Sequence, residues 1–132
     1  MKNNRLTKVF FIMVSTLFLL VGCSESVKSS IDAALVSTVK EGSLYEYPDK
    51  TVGKAFDDFF VDPKWEYFLS TEDEHVVEFN GVAEYYGEDA MITIQFIIDE
   101  VTEEFEIYWF GVDDVEESDY VLFDLLDTVY YE

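Results

Sequence analysis

The stretch HVVEFNGVAEYYGEDAMITIQFIID, residues 75–99, decides the fold. Apolar and polar side chains alternate along it with period two. Val77, Phe79, Gly81, Ala83 and Tyr85 fall on one side of an extended chain, and Glu78, Asn80 and Glu84 on the other. After Tyr86-Gly87-Glu88-Asp89 the alternation resumes. Ala90, Ile92, Ile94, Phe96 and Ile98 share one face, while Thr93, Gln95 and Asp99 take the opposite one. Successive side chains of a strand point to opposite faces, so the pattern predicts two strands with one buried and one wet face each. The glycine-bearing polar step between them predicts a hairpin turn.

The same period extends outward. In EFEIYWFGV, residues 104–112, Phe105, Ile107 and Trp109 are expected to face inward, with Glu106 and Tyr108 outward. KWEYFLS, residues 64–70, reads as a short apolar strand around Trp65 and Phe68, closed by the polar turn TEDE. Glu100 to Glu103 form the next turn, and DDVEESD, residues 113–119, reads as an acidic turn. The flanks carry helical spacing instead. SSIDAALVSTVKEG predicts a helix from Ile31 to Lys40, entered at Ser30 and left at Gly42. TVGKAFDDFF predicts a second helix capped by Thr51 and ended by Asp62-Pro63. YVLFDLLDTVYY predicts a third, capped by Ser118 or Asp119, with Val121, Leu122, Leu125, Leu126 and Val129 as its apolar stripe. The expected order is α-α-β-β-β-β-α. The fold class is α+β: a four-stranded antiparallel meander covered on one face by helices, one domain over residues 31–132.

The chain opens with MKNNRLTK, then the apolar run VFFIMVSTLFLLVG, then Cys23. Fourteen residues reach only about 21 Å as a helix, short of the roughly 30 Å hydrocarbon core, so a signal-peptide core fits better than a membrane span. Residues 1–22 are therefore read as a signal peptide, and residues 23–30 as an attachment point with a short polar linker. Loss of the first 22 residues removes three of the eight basic side chains and none of the 29 acidic ones. Five against twenty-nine leaves a formal charge of −24. That charge argues against binding nucleic acid through its phosphates and against lying flat on anionic lipid. Cys23 is the only cysteine, so no disulfide forms within one chain.

Leu20-Val21-Gly22-Cys23 resembles the lipobox of bacterial lipoproteins. The resemblance implies cleavage between Gly22 and Cys23 and transfer of a diacylglycerol, palmitate-type chains included, to the Cys23 thiol. It places the mature chain at the cell membrane, lipid-anchored on the extracytoplasmic face. Several acyl chains give stable anchoring where one gives marginal binding. Two other readings stay open on the residues alone: an ordinary secretory signal with a chance cysteine, and an uncleaved helical anchor. Most of the stretch from Leu44 to Phe110 also resembles a small domain of secreted and lipoprotein chains in Gram-positive bacteria. Its pattern is carried here by Thr51–Phe56 (TVGKAF), Pro63–Trp65 (PKW), Val76–Gly81 (VVEFNG) and Ile94–Phe96 (IQF). That domain is uncharacterised, and the resemblance implies no activity. The element order also looks like that of β-lactamase-inhibitor-like modules, a likeness of fold that carries no function.

Chemistry is sparse in the motifs. Glu72-Asp73-Glu74 and Asp113-Asp114 are the weak candidates for a hard cation, yet neither matches the spacing of a calcium loop. His75 is the lone histidine, too few for a usual zinc site or a Ser-His-Asp set. Phosphate-binding, dinucleotide-binding and nucleophile-elbow motifs do not occur. Aromatics are plentiful. Trp65, Phe79, Phe96, Phe105 and Trp109 are expected in the core, and Tyr45, Tyr47, Tyr85, Tyr86, Tyr108, Tyr130 and Tyr131 at the surface. The sequence thus points to a non-enzymatic, membrane-anchored interaction module of the cell envelope, with no cofactor beyond its covalent lipid. Its partner is an envelope protein or a cationic partner, met through Tyr86, Tyr108 and Phe110. The alternatives are a small solute- or cation-binding envelope domain using the acidic turns, and a small carboxylate-dependent hydrolase.

Overall fold

The computed structural model describes residues 30–131; Gly22, Cys23 and the signal segment lie outside them. Helix α1 covers residues 30–41 and α2 covers Val52–Phe59. Five strands follow: β1 (Val61–Leu69), β2 (His75–Tyr85), β3 (Glu88–Ile98), β4 (Phe105–Val112) and β5 (Val115–Glu116). Helix α3 (Asp119–Tyr131) closes the domain. The sheet runs β1-β2-β3-β4-β5, every neighbour antiparallel. The expected α+β class holds, with five strands rather than four. The stretch read as an acidic turn contains a tight hairpin, in which Val115 and Glu116 pair with Val112 and Gly111. Asp113 and Asp114 make its turn with φ of 49° and 67°, a left-handed conformation that Asp tolerates better than most residues.

The deciding stretch folds as its alternation requires. Phe79 lies opposite Ile94 and Val77 opposite Phe96, with Tyr86-Gly87 as the two-residue turn at φ 50° and 81°. Val77, Phe79, Ile92, Ile94, Phe96 and Ile98 face one way and are buried. All three helices put their buried side chains into the same cluster: Val39 from α1, Phe56 from α2, Leu122, Leu126 and Tyr130 from α3. Phe56 sits at its centre, 4.9 Å from Phe79 and 5.8 Å from Trp65 between ring centroids. Burying such a ring fully contributes about 1.5–3 kcal/mol. Thr51 caps α2 as expected, its hydroxyl accepting from the Lys54 amide at 3.2 Å. Ser118 caps α3, accepting from the Val121 amide.

Two expectations are corrected by pairing and packing. The β3–β4 register slips between Gln95 and Phe96, so Tyr108 is an extra, bulged residue. Phe105 and Ile107 face the core, but beyond the bulge the phase reverses. Phe110 and Val112 become the buried pair, while Trp109 stands on the open face opposite Gln95. Its indole lies over Gly111, the one residue whose missing side chain leaves it room. Phe110, expected outward, is buried for the same reason. Tyr47 and Tyr130, expected at the surface, are buried and stacked on each other at 4.4 Å and 13°.

Strand β1 also starts earlier than its apolar run. It includes Pro63 beside a bulge at Asp62 (φ 51°), and an edge strand accommodates a residue without an N–H.

Candidate functional site

One hollow of about 300 Å³ opens where α3, the C-terminal end of α2 and the β2–β3 hairpin meet. Such a volume is at the small end of ligand pockets. Its floor is apolar: Ile92 and Phe110 from the sheet, Val121 and Leu125 from α3, Phe59 from α2. Its lip is aromatic. Tyr85 and Tyr86 meet edge to face at 4.5 Å and 75°, and Tyr120 stands on the α3 side. Tyr86 is 89% exposed and Tyr120 is 85% exposed, so both rings present their faces to solvent rather than to the core. The turn fixes this. A left-handed residue at the first turn position projects its side chain off the hairpin, and Asn or Gly would be the ordinary choice there. Tyr86 holds that conformation at a backbone cost of about 1 kcal/mol.

One wall is acidic. Asp124 lines the hollow from α3, Glu84 borders it from β2 with its side chain on the open face of the sheet, opposite to Tyr85 and Ile92, and no basic residue lines it among the described residues. Burial first, then the Glu117 carboxylate and Tyr86, hold the Tyr85 hydroxyl above its usual range. Three of the four lysines among the described residues are engaged elsewhere, Lys40 with Asp57 at 3.1 Å, Lys54 with Asp58 at 3.2 Å and Lys50 with the Tyr130 carbonyl at 3.1 Å, and the fourth, Lys64, lies on β1 away from the hollow. The field in the hollow is therefore negative and uncompensated by the residues around it. A second hollow, about 490 Å³, flanks the other side of α3 between Leu44, Phe105, Ile107 and Leu122, rimmed by Glu46, Glu106 and Asp119 and by the exposed rings of Tyr45 and Phe123. The first is distinguished by its tyrosine pair, held at the lip by a positive-φ turn.

The residues singled out in the sequence fall in different places. Tyr86 is at the lip of the first hollow and Phe110 in its floor, whereas Tyr108 is on the β4 bulge and 58% exposed, outside it. Glu72, Asp73 and Glu74 form the β1–β2 turn, where the Ser70 hydroxyl accepts from the amides of Glu72 and Glu74. Asp113 is tied to β3, its carboxylate accepting from the Met91 amide at 2.9 Å. Among the described residues, no three His, Cys, Asp or Glu side chains converge as a metal site, and no helix is long and apolar enough to cross a membrane. His75 bridges two elements. Tyr67 Oη lies 2.6 Å from its Nδ1, and Glu100 Oε2 is 3.0 Å from its Nε2. Burial, with Asp32 and Glu100, raises the Tyr67 hydroxyl, which leaves it a hydrogen-bonding strut rather than an activated nucleophile.

Sequence reasoning missed Phe59, Tyr120 and Asp124. Tyr120, Asp124 and Thr128 follow one another at four-residue spacing, a second stripe beside the apolar one on α3. Nothing in that spacing says the stripe faces the hairpin.

No known family's profile matches the chain, and no curated protein and no solved structure matches it.

Proposed function

We propose that this protein is a lipid-anchored interaction module of the bacterial cell envelope, attached through a diacylglycerol on Cys23 and non-catalytic. Its contact surface is the hollow between α3 and the β2–β3 hairpin, and its partner is a cationic envelope polypeptide. One observation carries the reading: an aromatic-lipped, apolar-floored hollow with Asp124 in its wall and no basic residue lining it among the described residues. Tyrosine is suited to contact surfaces because it brings large amphipathic area with few torsions to freeze. A negative wall steers a positive partner toward the ring surfaces and keeps anionic surfaces away.

Two measurements test this. Cys23→Ala is expected to move the chain from the membrane to the soluble fraction and to abolish acyl labelling. Retention of the variant at the membrane, with no lipid on the parent, would refute the anchor. For the contact surface, a photo-cross-linking residue is placed at Tyr120 or, as a control on the open sheet face, at Glu66. A discrete adduct from position 120 that disappears with Tyr86→Asn is expected. Equal adducts from both positions would remove the hollow from the reading.

A further inference from the structure

The hollow has a chemistry more specific than positive charge. We infer that it receives an arginine side chain of the partner polypeptide, an inference that rests on reading the hollow as the contact surface.

Three requirements narrow the ligand. The apolar floor of Ile92, Val121 and Leu125 needs a carbon-rich stem to cover it. The open ring faces of Tyr86 and Tyr120 attract a cation that sheds its water readily. Asp124 supplies a carboxylate acceptor at the wall. Guanidinium meets all three, because it is planar, weakly hydrated, stacks on aromatic faces and donates two parallel hydrogen bonds to a carboxylate. Lysine meets them less well, because its ammonium is compact and strongly hydrated. A hard metal ion needs six to eight oxygens, more than one carboxylate beside an apolar floor supplies. An anion is repelled by Asp124 and by the Glu117 carboxylate near Tyr85. A side chain is also the right scale for a hollow of about 300 Å³, which is too small for a folded element. The geometry is that of an interface anchor: one long side chain desolvated in a pocket, with a polar rim around it.

The test is calorimetry on the full-length protein in detergent, with three capped peptides that differ only at one central residue. That residue is arginine, lysine or citrulline, the last being the uncharged isostere of arginine. The arginine peptide is expected to bind tightest, with citrulline about tenfold weaker, the scale of one desolvated cation–ring contact. Tyr86→Asn, which suits the turn better than tyrosine, and Tyr120→Ala should each weaken the arginine peptide several-fold. Asp124→Asn should erase most of the preference over citrulline, and Glu84→Gln, on the open face of the sheet, should leave it unchanged. Equal binding of arginine and citrulline peptides overturns the inference and leaves the hollow as an apolar contact surface. Tighter binding of lysine, or of free choline added as a competitor, overturns it in favour of an ammonium ligand. No binding of any peptide up to about 10 mM, a level of affinity too weak to matter for an interface, overturns the contact-surface reading as well.

Discussion

Tyr130→Phe is expected to stabilise the protein. Tyr130 is 5% exposed, and its hydroxyl oxygen is buried with no hydrogen-bond partner. Burial, then the neighbouring Tyr47, push that hydroxyl far above its usual range. A polar group buried without a bond costs about 1–3 kcal/mol, whereas the ring itself is well used. It stacks on Tyr47 at 4.4 Å and meets Phe56 nearly edge-on at 6.2 Å. Phenylalanine keeps both contacts and the volume, and removes only the oxygen. Position 130 lies in the last turn of α3, where local adjustment absorbs part of the penalty, so the gain should fall near the low end, about 1 kcal/mol. For a domain of about 100 residues that corresponds to a Tm rise of about 4–8 °C.

Tyr47→Phe is the matched control and should have the opposite sign. Its hydroxyl donates to the Asp127 carboxylate at 2.5 Å, and that bond is lost. A hydrogen bond to a charged group contributes about 1.5–3 kcal/mol, reduced here because Asp127 is exposed, so about 1 kcal/mol of destabilisation is expected. The assay is urea unfolding followed by tryptophan fluorescence, with unchanged m-values showing that only stability moved. If Tyr130→Phe destabilises by more than about 0.5 kcal/mol, the hydroxyl is bonded in the folded protein and the reasoning fails.

The remaining predictions concern the same packing. Above pH 10 stability should fall steeply. Tyr47, Tyr67, Tyr85 and Tyr130 are all held neutral beyond their ordinary value of 10.0, so the unfolded chain loses protons first and is favoured as pH rises. Tyr130→Phe should flatten that alkaline limb, and an equally steep limb in the variant would contradict the assignment. Gly81→Ala should cost about 1–3 kcal/mol in a thermal melt, because the new methyl group would meet Phe79 at 2.6 Å and Phe60 at 2.7 Å inside the core. Tyr86→Asn should leave stability unchanged or slightly raised, because relief of a left-handed tyrosine, about 1 kcal/mol, offsets the exposed ring contact with Tyr85. A loss above about 1 kcal/mol would show that the hairpin depends on that ring. His75→Phe should cost about 1 kcal/mol in urea unfolding by breaking the Tyr67–His75–Glu100 strut, and should leave peptide binding unaffected.

Local chemistry alone determined much of this protein. Alternation from Val77 to Ile98, broken only at Tyr86-Gly87, leaves little but a hairpin with one dry face. Thr51 ahead of an apolar helical face and Ser118 ahead of another mark helix starts, because those side chains satisfy amides that the helix itself leaves open. Only tertiary structure decided the rest. Period two places Trp109 with Phe105, yet a one-residue bulge reverses the faces, and a bulge depends on pairing with β3 rather than on β4 itself. The gain is specific: Phe110, with no polar atom, takes the core, and the indole rests over Gly111. Tyr47 and Tyr130 look like surface tyrosines, but they bury each other across more than eighty residues of chain, a contact that no local pattern encodes. The hollow is of the same kind. Tyr86, Phe110 and Asp124 come from a turn, a strand and a helix, and they share a site only because α3 lies beside the end of the hairpin.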